Sequence, residues 1–227
     1  MTERSRVRRI SELASYDREV IDRILDAGTV AHIGVVGPPD GAPDVAGDGL
    51  GQPFVIPTIY ARVGDDVLVH GSVASRMLRA GASGAPMCLT VTLVDGLIVA
   101  RSLFESSMRY RSVVVLGRAR EVSDPVEKLA ALLTLSDRLI PGRVDEARGP
   151  TDLELRRTMV FALPLQECSA KVSDGWPDDG EEDRALEIWA GVVPLRTIAG
   201  EPLGAPDLRP GIGVPPSVRR LVERPSR

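Results

Sequence analysis

The chain has 227 residues, 43% of them hydrophobic, which is enough to bury a sizeable core in one domain. Lys+Arg (28) and Asp+Glu (32) nearly cancel to a net charge of −4, so no strong field would hold the protein on nucleic acid or on an acidic membrane. Two cysteines, Cys88 and Cys168, exclude a disulfide scaffold, and the absence of a long apolar run predicts a soluble, cytoplasmic protein.

Along the chain, residues 1–9 carry Arg4, Arg6, Arg8 and Arg9 without interleaved aromatics and read as a solvated N-terminal tail. From Ser15 to Ala27 the positions Val20, Ile21, Ile24 and Leu25 share one helical face, with Ser15 as N-cap and Gly28 as terminator. Strand-like segments follow at 29–36, 54–63, 66–70, 87–94 and 97–101, with turn residues at Gly64-Asp65 and Asp95-Gly96. The interval 37–53, rich in Gly, Pro and Asp, predicts a long surface loop. A further strand is expected over 110–122. Asp124-Pro125 then caps and starts a helix whose stripe of Leu129, Leu132, Leu133 and Leu139 packs outside the sheet. Thr151 and Glu154 have capping-box spacing, and 158–165 and 168–172 return to strand. The acidic stretch 177–183 reads as a solvated loop, and 202–216 as an extended segment rich in Pro and Gly. The domain is expected over 10–200, followed by a C-terminal tail over 201–227.

Chemistry concentrates at Val69-His70-Gly71-Ser72-Val73-Ala74-Ser75-Arg76, where a strand gives way to a helix. Gly71 allows a tight turn, Ser72 and Ser75 offer hydroxyls at the helix start, and Arg76 adds a permanent cation, so a phosphate monoester could bind there. An equally open alternative is that Ser72 only caps the helix and Arg76 is solvated. His70 could act as acid or base or contact a ligand, or be a satisfied structural residue. His32 lies within an apolar strand, and no His, Cys or carboxylate spacing predicts a metal site. A Gly-x-Ser-x-Gly elbow, a Walker A loop and a strand–helix Gly-x-Gly-x-x-Gly are all missing, which removes the common hydrolase, nucleoside triphosphatase and dinucleotide-dehydrogenase readings.

The order of Pro53-Phe54-Val55-Ile56-Pro57-Thr58, His70-Gly71-Ser72-Val73-Ala74-Ser75-Arg76, Asp95-Gly96-Leu97-Ile98, Tyr110-Arg111-Ser112-Val113 and Trp189-Ala190-Gly191-Val192 carries a resemblance. The chain resembles the pyridoxamine 5'-phosphate oxidase-related, FMN-binding split-barrel proteins, particularly the branch with nitroimidazole-resistance proteins. The resemblance implies a mainly β, α+β fold: a six-stranded antiparallel split barrel with flanking helices that forms a homodimer and holds FMN between subunits. It assigns the FMN phosphate to Ser75 and Arg76, the ring to Val55, Ile56, Pro57, Thr58, Val69, His70, Gly71 and Ser72, an approach from the interface to Tyr110, Arg111 and Ser112, and a C-terminal segment folding toward the cofactor to Trp189, which could equally be an ordinary core aromatic. The function it implies is a flavin-dependent oxidoreductase acting on a small molecule, with a nicotinamide as possible donor and His70 as the acid or base.

The chain departs from the family at Met77, where the oxidases have lysine, and at Glu105, Ser106 and Arg109, where the branch usually carries a His-His pair and Ser-Met-Asn; a Glu105–Arg109 salt bridge is one expectation for this altered segment. The alternative to the enzyme is a non-catalytic binding protein for flavin, a deazaflavin or heme, and for heme only His32 and His70 offer a nitrogen ligand.

Overall fold

The computed structural model describes residues 2–37 and 52–223; the loop expected over 37–53 falls almost wholly outside the described residues. After β1 (Ala14–Ser15), helix α1 (Arg18–Ala27) starts at Asp17, whose carboxylate accepts from the Glu19 amide. Ser15, expected as the cap, is instead drawn into pairing with Ala170. Ile21, Ile24 and Leu25 give α1 a buried face. Gly28 ends the helix for reasons of space and not of handedness: its φ is −77°, but a Cβ there would stand 2.6 Å from both the Tyr60 hydroxyl and Val91 Cγ1.

The strands that follow are β2 (Val30–Gly37), β3 (Gln52–Val63), β4 (Asp66–Ser72), β5 (Pro86–Val99), β6 (Ser107–Arg118), β7 (Arg120–Glu121), β8 (Thr158–Pro164), β9 (Glu167–Ser173) and β10 (Gly191–Pro194). They form one antiparallel sheet in the order β1-β9-β6-β5-β2-β3-β4-β8-β7, with β10 added to β5. This is the mainly β split barrel expected from the sequence; the sheet has ten strands where six were expected, of which β1, β7 and β10 are short additions and seven are longer.

Alternation along the strands sends Ile33, Val35, Tyr60, Val67, Val69, Leu89, Val91, Val113, Val115, Phe161 and Leu163 inward, where they meet α1 and Met77 and Leu78 of α2 (Arg76–Ala82). On the other face of β3, β4 and β8, Ala61, Leu68, Val160 and Ala162 pack against Ala131 and Leu135 of α3 (Pro125–Leu139). Asp124 caps α3 through the amides of Val126 and Glu127, and Thr151 and Glu154 make the reciprocal capping box of α4 (Asp152–Arg157), both as read from the sequence.

Two local readings are corrected. Asp95-Gly96 is a bulge within one continuous β5 and not a turn, because Asp95 receives the Arg111 guanidinium from β6 at 2.7 and 2.6 Å while β10 covers Gly96. The stretch 177–183 is not merely solvated: it carries the buried Asp179 and begins α5 (Glu181–Arg184). After β10 the chain runs without helix or strand until α6 (Pro216–Val222), where the Ser217 amide donates to Glu146 at 2.9 Å and the Ser217 hydroxyl donates to the same carboxylate.

Where β3 meets β4 the ladder is short. It runs only from Val63↔Asp66 to Tyr60↔Val69; below that point β3 stays with β2 down to Gln52, and β4 continues to Ser72 paired with β8 alone. The two strands part at Ile59 and His70, and this parting is the split of the barrel. Its apex is pinned by Tyr60, whose buried hydroxyl donates to the Leu25 carbonyl at 2.6 Å and whose ionisation burial pushes well above the ordinary range. Tyr60→Phe should leave that carbonyl unsatisfied and lower stability by about 1–2 kcal/mol in urea unfolding monitored by circular dichroism.

Candidate functional site

The split has two walls. One is the edge of β3 from Phe54 to Thr58, which pairs with β2 on one side and with no described strand on the other. Pleating leaves Val55 and Pro57 exposed and turns Phe54 and Ile56 toward the core, while the Thr58 hydroxyl donates to the Ile59 carbonyl at 3.2 Å. The other wall is the end of β4 and the start of α2. Val69 is fully buried in the barrel, so it offers the split only its backbone. Gly71 faces Leu78, 3.6 Å from where a Cβ would stand. The Ser72 hydroxyl accepts from the Ala74 amide at 3.2 Å and so shapes the turn.

Ser75, and not Ser72, is the N-cap residue of α2, and its hydroxyl makes no capping bond. Next to it the Arg76 guanidinium lies over the Phe54 ring, 4.2 Å from the centroid, so a cation–π contact joins the two walls. Met77 is a core residue, 4% exposed. Position 77, where the family's oxidases have lysine, points into the barrel here.

His70 stands where the strands part. It is half-buried, and its Nδ1 is buried with no hydrogen-bond partner. Burial pushes its pKa below the ordinary 6.5, so the ring is neutral at pH 7.

Tyr110, Arg111, Ser112 and Trp189 fall elsewhere. The first three lie on β6, three strands from β3, roughly 14 Å at ordinary sheet spacing. The Arg111 guanidinium is taken up by Asp95. Trp189, 65% exposed, precedes β10 with its ring against Gly191. Within one chain the expected site residues thus form two groups, one at the split and one on an arm made of β5, β6 and β10. Arg109 does not pair with Glu105: its Nε donates to the Gly175 carbonyl at 2.8 Å and its guanidinium stacks 4.9 Å from the centroid of Trp176.

The arm carries a device that sequence reasoning missed. The Asp179 carboxylate accepts from the amides of Arg101 (2.8 Å) and Ser102 (3.2 Å) and from the Arg101 guanidinium (3.0 Å). It thereby holds the β5–β6 connection, where Leu103 and Phe104 are 97% and 91% exposed. The partners are 77 and 78 residues apart, and Asp179 sits among other acidic residues, so no local pattern marks it. A separate, largely apolar groove of about 340 Å³ lies between Arg4, Val36, Pro53, Val55, Cys88 and Leu116; of the expected site residues it touches only Val55. Among the described residues no helix is long and apolar enough to cross a membrane.

Residues 17–172 match the family model described as pyridoxamine 5'-phosphate oxidase. The chain belongs to this family. No curated protein matches it. Among solved structures it is similar to the FAD and heme binding protein from Mycobacterium smegmatis, with 43% identity over 92% of this chain and 97% of that one and a TM-score of 0.83. It is also similar to the flavocytochrome Anf3 from Azotobacter vinelandii, with 38% identity over 97% of both chains and a TM-score of 0.85. A protein provisionally assigned to 5-nitroimidazole antibiotic resistance, from Bacteroides thetaiotaomicron, shares the fold at 20% identity over 70% of this chain and 86% of that one, with a TM-score of 0.53. Family membership matches the resemblance read from the sequence.

The Asp179 clamp has a pH signature. Burial alone would raise this carboxyl, but bonds from the Ser102 amide and from the amide and guanidinium of Arg101 outweigh it and hold the pKa below the ordinary 3.8. A depressed folded-state value stabilises above the unfolded pKa and is lost as pH falls through the folded one. Amide exchange at Arg101 and Ser102 should therefore be slow at neutral pH and lose its protection below 3.8. Asp179→Ala should speed it about tenfold or more at pH 7, read by hydrogen–deuterium exchange.

Proposed function

We propose that this protein is a flavin-dependent oxidoreductase that also carries heme, built as a homodimer. The observation that carries the proposal is the 43% identity, over nearly the full length of both chains, with a protein named for FAD and heme binding; the 38% identical flavocytochrome supports it independently. That name favours FAD over the FMN expected from the sequence. The two nucleotides share the isoalloxazine ring and its first phosphate, so the demands on this part of the site are the same.

The split suits such a group. Its β3 edge from Phe54 to Thr58 pairs with no strand on that side and can hydrogen-bond the polar rim of a planar heterocycle, as an added strand would. Val55 and Pro57 offer apolar contact, Ser75 has a hydroxyl not spent on capping, and Arg76 supplies a cation that is never neutral at working pH. The flavin, once bound, supplies the electron-transfer chemistry. The residues of this chain bind and orient it: Arg76 anchors phosphate and the β3 edge fixes the ring. A nicotinamide donor and a small-molecule acceptor are the partners this reading implies.

The dimer follows from the separation of the two groups of expected residues. Tyr110, Ser112 and Trp189 reach a split only if the arm of one copy approaches the other copy. The arm has the surface for this, with Leu97, Leu103, Phe104, Met108, Trp189 and Val193 all exposed.

Absorption spectra of the purified protein, before and after incubation with FAD or FMN and gel filtration, test the cofactors. Flavin bands and a heme Soret band are expected, and a colourless protein in every preparation would sink the proposal. Arg76→Glu should weaken flavin binding by about tenfold to a hundredfold, since a charge-assisted contact is replaced by repulsion. Light scattering should give twice the 24.3 kDa chain mass, and Leu103→Asp with Phe104→Asp should shift it toward one chain.

A further inference from the structure

A protein that carries heme needs a ligand for the iron, and the following inference rests on the heme part of the proposed function. Few side chains of this chain qualify. Met77 and Met87 are sealed in the barrel core, Cys168 donates to the Leu165 carbonyl, and Tyr60 is committed to Leu25 as a donor. For a nitrogen ligand, the commonest kind for heme iron, the chain has two histidines, His32 and His70.

Their settings differ. His32 lies in mid-strand on β2, with β3 paired on one side at Pro57 and β5 on the other at Thr90, and it is exposed on an unbroken sheet face. His70 stands where the β3–β4 ladder has ended, paired only with Val160 on β8, so its β3 side opens into the split. It is half-buried, and its Nδ1 is buried without a hydrogen-bond partner, so Nε2 is the nitrogen left to meet a bound group. Iron takes the lone pair of a neutral imidazole, and burial keeps this ring neutral.

We propose that His70, at the point where β3 and β4 part, is the protein's ligand to a heme iron. One ring nitrogen donates its lone pair to form a single N–Fe bond, the ring proton stays on the other nitrogen, and no electron leaves or enters the protein in the step. This role displaces the acid–base function expected of His70, because a nitrogen bound to iron has no lone pair left to accept a proton.

The test is titration of the full chain with hemin, following the Soret band, for the wild type and for His32→Ala, His70→Gly and His70→Gln. The wild type and His32→Ala are expected to give the same sharp, saturable band. Both His70 variants should lose it and bind hemin at least about tenfold more weakly, and added imidazole should restore the band in His70→Gly, where the side chain has left room. Unchanged gel-filtration elution and circular dichroism of the His70 variants separate loss of a ligand from loss of the fold. If wild type and His70→Gly show the same band and affinity, or if His32→Ala loses the band, the assignment to His70 is overturned while the heme reading stands. If the wild type takes up flavin but no hemin, the heme reading itself fails and the ligand with it.

Discussion

The hydrogen bond from the Tyr60 hydroxyl to the Leu25 carbonyl fixes the point from which the split opens. Tyr60 is the last residue of β3 to pair with β4 before the strands diverge, and it is fully committed: 2% exposed, its ring in the barrel core, its hydroxyl on the end of α1. A buried phenol of this kind stays a donor at every working pH, because burial holds its ionisation far above the ordinary range. α1 therefore acts as a wedge. Gly28 lets the chain leave the helix directly over Tyr60 and Val91, where any side chain would collide. Below this anchor β3 follows β2 and β4 follows β8, and the gap between them is bordered by the free edge of β3, by His70 and by Arg76.

The arm obeys a different logic. Its apolar side chains are not buried by the chain that bears them, yet its backbone is held firmly. Asp95 and Arg111 lock β5 to β6 across the bulge, β10 adds a third strand, and Asp179 fastens the connection beyond them. Ordering Leu103 and Phe104 in water gains nothing by itself, since their apolar area remains exposed. It lowers the entropy that association would cost, which is how rigid apolar anchors work at interfaces. Arg109 on Trp176 extends the same stiffening to the residues that follow β9.

Legibility in the sequence followed the range of the forces. Local rules located α3 and α4, because Asp124-Pro125 and the Thr151–Glu154 pair act within four residues. Pleat alternation marked the strands, and the order of short motifs identified the family. What failed was set by partners distant in the chain. Asp95-Gly96 has turn chemistry, yet Arg111 sixteen residues on and β10 nearly a hundred residues on convert it to a bulge. Met77, a departure from the family's lysine, is turned into the core by helical periodicity from Arg76. Asp179 was hidden in a run that reads as solvated. At the site, the motif from Val69 to Arg76 was legible as chemistry but not as geometry, since its residues alternate between core, backbone and split.

That alternation decides what one protomer can do alone. Of the motif, Val69 and Gly71 face the barrel and Ser72 serves its own turn, which leaves His70, Ser75 and Arg76 to meet a ligand. An arginine and a hydroxyl suit a phosphate, while a neutral imidazole suits an electron-pair acceptor. These demands differ in charge and in direction, and a single nucleotide phosphate would leave the imidazole unused. Two groups bound side by side, one held by charge and one by a lone pair, would use all three residues. The β3 edge between them would then set their spacing, and that edge is fixed in turn by the anchor at Tyr60.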